Sequence, residues 1–135
     1  MLGLSEAGHA EYGAAPEMAL ITPAACEVPL PGDGPRLHGK QKVRLAPGSL
    51  ARRLYEKDEV AEEFHCRNEL NAAFQPLFEQ STLKVSGVGD RGEARVVELD
   101  SAEFFIGTLF LPQIVAAEEA HPLVDGFVRA VVAAA

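Results

Sequence analysis

His65-Cys66-Arg67 carries the chemistry this sequence could most directly perform. A thiol beside two cations has its thiolate form favoured, and the thiolate is the nucleophile of thiol catalysis and redox exchange. The competing reading is a packed thiol at a strand end, because cysteine is among the most often buried residues. Neighbouring side chains of a strand also face opposite ways, so His65 need not touch Cys66. Cys26 has only Glu27 beside it and reads as core. His9, His38, His65 and His121 fall in no metal-ligand spacing and read as surface or capping histidines. No metal or other cofactor is expected. Glu62-Glu63 and Glu118-Glu119 read as solvated faces rather than acid–base pairs. Gly87-Val88-Gly89-Asp90-Arg91-Gly92 matches Gly-x-Gly-x-x-Gly, but a pyrophosphate cradle needs that pattern between a strand and a helix. Here it joins two β runs, so a hairpin turn is expected.

Periodicity places these residues on elements. The run 104–110 is apolar and rich in β-formers, which predicts a strand buried on both faces. Pro112 cannot continue a ladder, so the chain turns there, over the end of the sheet where open α/β folds place their chemistry. Residues 1–19 lack apolar periodicity after Leu4 and read as mostly loop. Short strands are expected at 18–21, ended by Pro23, and at 26–30, with a loop at 31–35. Alternation over 40–45 predicts a half-buried strand with Val43 and Leu45 on one face. Pro47-Gly48 is a turn, and Ser49 caps a short helix over 50–55. A strand follows at 59–65, with Val60 inside. A helix over 71–80 is made short or irregular by Pro76. Runs 82–88 and 94–99 form a hairpin around Asp90-Arg91-Gly92. A C-terminal helix starts at His121-Pro122, with Pro122 and Asp125 suited to its first turn. Its repeats Leu123, Phe127, Val131 and Val124, Val128, Val132 predict a broad apolar stripe docked on a sheet.

Length and composition bound the rest. A chain of 135 residues suits one domain, and 47% hydrophobic residues can fill a core. The net charge of -8 argues against nucleic acid or an anionic membrane as a partner, since both demand a basic surface. No apolar run approaches the ~20 residues of a membrane span. No secretory leader pattern opens the chain. Two distant cysteines outline no disulfide framework, so a reducing cytoplasm is the expected location.

The strand with Phe110-Leu111-Pro112-Gln113 resembles the Phe-His-Pro-Glu signature of class I glutamine amidotransferases, whose His and Glu complete a Cys-His-Glu triad. Six segments in one order are similar to the C-terminal half of the amidotransferase domain of CTP synthase. They are Leu2-Gly3-Leu4 to Glu11; Leu45-Ala46-Pro47-Gly48-Ser49-Leu50 with Tyr55; Glu62 through Asn71; Leu83-Lys84-Val85-Ser86-Gly87; Val96-Val97-Glu98-Leu99; and His121 through Val128. The likeness is nearest to a smaller group, the CTP synthase C-terminal region-related (seleno)proteins. Their His-Cys-Arg and Thr-Leu-Phe-x-Pro runs resemble 65–67 and 108–112.

The resemblance implies an α/β fold, a partial class I glutamine amidotransferase-like (flavodoxin-like) sheet with a β-hairpin and a C-terminal helix. It implies a single domain over 1–135, truncated at its N-terminus, because the family's strand bearing the nucleophilic Cys has no counterpart. The family activity is glutamine hydrolysis for CTP synthesis, in pyrimidine metabolism. Here the triad's His and Glu positions hold Leu111 and Gln113, and neither Cys26 nor Cys66 occupies the nucleophile's place. Hydrolysis of glutamine needs a thiolate and a base to generate it. By resemblance, Glu11 would face a substrate amino group and Arg67 its carboxylate. The expectation is a catalytically degenerate binding or interaction module for glutamine or a similar small molecule. Two alternatives stay open: a thiol enzyme using Cys66, or one piece of a larger amidotransferase. A second copy or a partner chain would cover any open sheet edge.

Overall fold

Alternating apolar and charged residues in the middle of the chain build the principal sheet. In this computed structural model the described residues are 2–24, 29–30, 34–35, 37–114 and 120–135, with side chains described outside 25–38. In chain order the elements are β1 (Gly8–His9), β2 (Ala19–Pro23), β3 (Pro29–Leu30), β4 (Gly34–Pro35), β5 (Leu37–Leu45), α1 (Leu50–Tyr55), β6 (Glu59–Cys66), β7 (Asn68–Leu70), α2 (Gln75–Glu79), β8 (Leu83–Val88), β9 (Ala94–Leu99), β10 (Ile106–Thr108) and α3 (Pro122–Ala133). A five-stranded sheet has the order β10-β9-β8-β5-β6, and β1-β2-β7 form a second sheet of three. Strands β3 and β4 pair with each other. Cys26 and most of the strand expected at 26–30 lie outside the described residues, as do Glu118 and Glu119. Gly34–Pro35 is paired where a loop was expected.

Strand β5 pairs antiparallel with β6, Val43 opposite Val60. Val43, Leu45, Val60 and Phe64 pack inward with Ala51, Tyr55, Val96, Phe110 and Leu123 as the main core. Leu70, Phe78 and Ala94 centre a smaller cluster beside the three-stranded sheet. Helix α1 begins as its sequence predicts, the Ser49 hydroxyl accepting from the Arg52 amide at 3.1 Å. The helix expected over 71–80 is divided. A 3-10 turn at Ala72–Phe74, capped by Asn71, leads into α2, whose first turn accommodates Pro76. The glycine-rich run at 87–92 turns β8 into β9, the hairpin expected of it.

Three expectations need correction. The run 104–110 does not form a strand buried on both faces. Only Ile106–Thr108 is strand, it lies at the edge of the sheet, and Phe105 is 46% exposed. The Thr108 hydroxyl donates to the Phe110 carbonyl at 2.9 Å, a local bond that draws the chain out of the ladder before Pro112 is reached. The five-stranded sheet is antiparallel throughout, so the rule for the ends of parallel strands does not govern it.

The second correction is Glu62. It is buried rather than solvated, because it shares the inward face of β6 with Val60 and Phe64 two residues to either side. The third is α3, which does not dock its apolar stripe on a sheet. It approaches α1 through Gly126, where an added Cβ would lie 2.5 Å from a Leu54 methyl. Phe127, Val128 and Val131 stay 52–53% exposed. A residue without a side chain permits the close approach to α1, while Leu123 of the same helix enters the main core.

Candidate functional site

The join between β6 and β7 gathers most of the residues singled out in the sequence. Cys66 ends β6, Arg67 bridges, and Asn68 opens β7. The Asn68 amide donates to Glu11 Oε1 at 2.9 Å, so a residue 57 positions earlier is held against this join. Glu11 lies in the 3-10 turn Ala10–Tyr12, which His9 caps by accepting the Glu11 amide at Nδ1. The backbone at Arg67 is fixed from a third direction, its carbonyl accepting from the Ala24 amide at 2.8 Å. Glu11 and the exposed Arg67 therefore lie on neighbouring segments of the backbone.

The segment 109–111 crosses from β9 to β6 beside this join. The Leu109 amide donates to the Arg95 backbone carbonyl of β9 at 3.0 Å, and the Leu111 amide donates to the Glu63 backbone carbonyl of β6 at 3.2 Å. The Leu109 carbonyl accepts from the Cys66 thiol. Leu111 is half-buried, and Gln113 is exposed in the 3-10 turn Pro112–Ile114. Leu111 offers no proton donor or acceptor in its side chain, and the Gln113 amide does not titrate.

Cys66 faces inward, half-buried, and packs on the main core. His65 faces the other way, and its ring nitrogen lies 3.6 Å from a carboxylate oxygen of Glu63. Burial pushes the Cys66 thiol up from its ordinary range. A backbone amide hydrogen bond and the charge of Arg95 pull the other way and do not offset it. A thiol held protonated is a poor nucleophile at neutral pH.

Two buried polar clusters were missed in the sequence. Arg95 has its side chain 1% exposed, 2.5 Å from Glu93, 3.4 Å from Glu69 and with its guanidinium carbon 5.2 Å from the centre of the Phe64 ring. Arg91 reaches the same Glu69 at 3.2 Å. In the other cluster, the Tyr55 hydroxyl donates to Glu62 Oε1 at 2.6 Å, and His121 Nε2 lies 3.2 Å from Glu62 Oε2. His121 Nδ1 accepts from the Leu123 amide at 3.2 Å, so the ring proton is assigned to Nε2, facing Glu62. His121 thus caps α3 and ties it to β6. Period-two alternation carried a signal for Glu62, whereas the contact of Arg95 with Glu69 spans 26 positions and left none. Among the described residues, no group of three His, Cys, Asp or Glu could hold a metal ion, and no helix is long and apolar enough to cross a membrane.

No family model matches the chain. Over 97% of its length it is 34% identical to a CTP synthase of Saccharolobus solfataricus and 38% identical to one of Acaryochloris marina. It spans about a quarter of the length of each, 25% and 24%. The glutaminase domain of the Trypanosoma brucei CTPS, solved with acivicin bound, superposes with a TM-score of 0.85 at 21% identity. That match covers 98% of this chain and 53% of the other.

Proposed function

From this chain's relation to CTP synthases and its glutaminase-domain fold, we propose that it is a glutamine-binding module without glutaminase activity. The observation that carries the reading is the Asn68 bridge, which holds the Glu11 carboxylate beside the Arg67 segment. A free α-amino acid presents an ammonium and a carboxylate on one carbon. A carboxylate and a guanidinium on adjacent segments complement that pair, and the guanidinium can meet a carboxylate with two parallel hydrogen bonds. The neighbour of like fold, solved with acivicin in place, supports a small-molecule site in this architecture.

Loss of hydrolysis rests on different residues. Acyl transfer from glutamine needs a nucleophile activated by a base. Leu111 and Gln113 stand where the resembling family has its His and Glu, and neither can take up the proton of a thiol. Cys66 is kept protonated by burial and is engaged with the Leu109 carbonyl.

Titration calorimetry with glutamine tests the binding half. Binding is expected at millimolar ligand or tighter, and Arg67→Ala should weaken it roughly tenfold to a hundredfold, the ~1.5–3 kcal/mol of a charged hydrogen bond. No heat at millimolar glutamine removes the assignment. An ammonia assay on the same sample tests the other half, and any sustained release overturns it.

A further inference from the structure

We infer that Glu69 is the positioning residue of the Glu11–Arg67 site: its carboxylate, held by Arg95 and Arg91, sets where the join between β6 and β7 stands. The inference deepens the glutamine-binding reading above and rests on it.

The join passes from one sheet to the other. Strand β6 is the edge of the five-stranded sheet, and β7 is the edge of the three-stranded one. Arg67 alone links Cys66 of β6 to Asn68 of β7. Each residue carries two soft dihedrals, so so short a link leaves the relation between the sheets to be set by other contacts. Everything that bears on Glu11 belongs to the smaller sheet. Strand β1 pairs with β2, β2 pairs with β7, and Glu11 follows β1 in the turn Ala10–Tyr12. Asn68 of β7 bonds directly to Glu11. Whatever fixes β7 against the larger sheet therefore also fixes Glu11 against the end of β6.

Glu69 makes such a contact. It is buried in β7, and its Oε2 accepts from Arg95 Nη1 of β9 at 3.4 Å and from Arg91 Nη2 of the preceding turn at 3.2 Å. A cleft of about 560 Å³ opens here, lined by Thr22, Glu69, Gln75, Arg91 and Glu93 among others. Charged side chains thus reach across a place that apolar packing does not fill. Leu70, the next residue, packs with Phe78 and Ala94. That contact is apolar and carries no direction, whereas charged hydrogen bonds fix an orientation as well as a distance.

The need to neutralise Arg95 does not account for Glu69. Glu93 is nearer to Arg95, at 2.5 Å, and belongs to the same hairpin. A counterion is already at hand there. The second carboxylate comes from the other sheet, two residues from Arg67 and next to Asn68, and what it adds is a tie between the sheets. Side chains that touch a ligand keep their geometry only when their supports are themselves held by such contacts.

Glu69→Gln tests this, because it removes the charge and keeps the shape. In calorimetry the variant should bind glutamine at least roughly threefold more weakly, and the loss should shrink when Arg67→Ala is present in both proteins, as for residues that act through one another. A purely structural role would lower the unfolding midpoint and leave the affinity of the folded chain unchanged. Native amide exchange reads the join itself. The Ala24 amide is held by the Arg67 carbonyl at 2.8 Å, and the Asn71 amide by the Leu20 carbonyl at 2.9 Å. In the variant both should quicken at least roughly tenfold more than the Leu45 amide, which the Asp58 carbonyl holds at 2.8 Å in the larger sheet. A general loss of stability would quicken all three alike. Unchanged glutamine affinity overturns the inference, and so does quickening at Ala24 and Asn71 no greater than at Leu45. A parent chain that binds no glutamine removes the function proposed above, and the exchange ratio alone then decides whether Glu69 sets the join. If Glu69→Gln does not fold, Arg91→Ala, at the half-exposed end of the same contact, is judged by the same outcomes, with an affinity loss of at least roughly twofold expected.

Discussion

Arg95 sits in the interior with two carboxylates and an aromatic face for company, and each partner answers part of its desolvation. Removing Arg95 takes their most buried cation from Glu69 and Glu93 and leaves them the half-exposed Arg91, 3.2 and 3.8 Å away. Arg95→Met should therefore lower stability by ~1.5–3 kcal/mol, the range of a hydrogen bond to a charged group, read as a drop in the urea midpoint, although the methionine fills much of the volume. Tyr55 gives a second prediction of the same scale. Burial, then its hydrogen bond to Glu62 and the charge of that carboxylate, push the phenol far above its ordinary range. The folded protein keeps this proton where the unfolded chain releases it. Stability is then full below the unfolded pKa of about 10 and falls as pH rises through it. In an alkaline titration the Tyr55 share of the phenolate absorbance should develop only as the protein unfolds. A Tyr55 signal appearing while the far-ultraviolet spectrum is still native would contradict the geometry.

Helix α1 owes its start to two sources of different range. The Ser49 hydroxyl is three residues away and was legible, because a cap is a local pattern. Glu98, from β9, is equally close in space, accepting the Leu50 and Ala51 amides at 2.7 and 2.8 Å, and no local pattern announces it. Glu98→Ala strips two amide acceptors from a buried helix end and should cost ~1–3 kcal/mol in equilibrium unfolding. Ser49→Ala should cost about 1 kcal/mol. The same division explains what else could be read in advance. Alternation fixed Val43 and Leu45 inward, and Pro76 divided its helix, since both effects act within a few residues. Periodicity in α3 showed that a face was apolar but not what lies against it. The helix instead uses Gly126, whose role depends on Leu54 across the interface. Strand β10 was overread for a related reason: composition measures the preference of a run, whereas Thr108 bonding to Phe110 decides where the run stops.

At the scale of the whole molecule, the chain shares its fold with a glutaminase domain, and the proposed lack of hydrolysis turns on a few side chains set on that fold. The scaffold places 109–111 between β9 and β6, with Leu109 at Cys66 and Leu111 at Glu63. Placing proton-handling groups at 111 and 113 tests the proposed lack of hydrolysis. The double variant Leu111→His, Gln113→Glu supplies an imidazole and a carboxylate, the base and its orienting partner. It does not supply an exposed thiolate, because Cys66 faces inward, donates to the Leu109 carbonyl and is held protonated by burial. The double variant should therefore release no more ammonia from glutamine than the parent chain in a coupled assay at pH 7.5. Ammonia that appears in the double variant and disappears again with Cys66→Ala would mean that the thiol can swing out and be activated. The site would then be one substitution pair away from a working enzyme rather than lacking its nucleophile. Ammonia that survives Cys66→Ala would mean that another group in the chain attacks the amide, and the role given to Leu111 and Gln113 would have to be withdrawn.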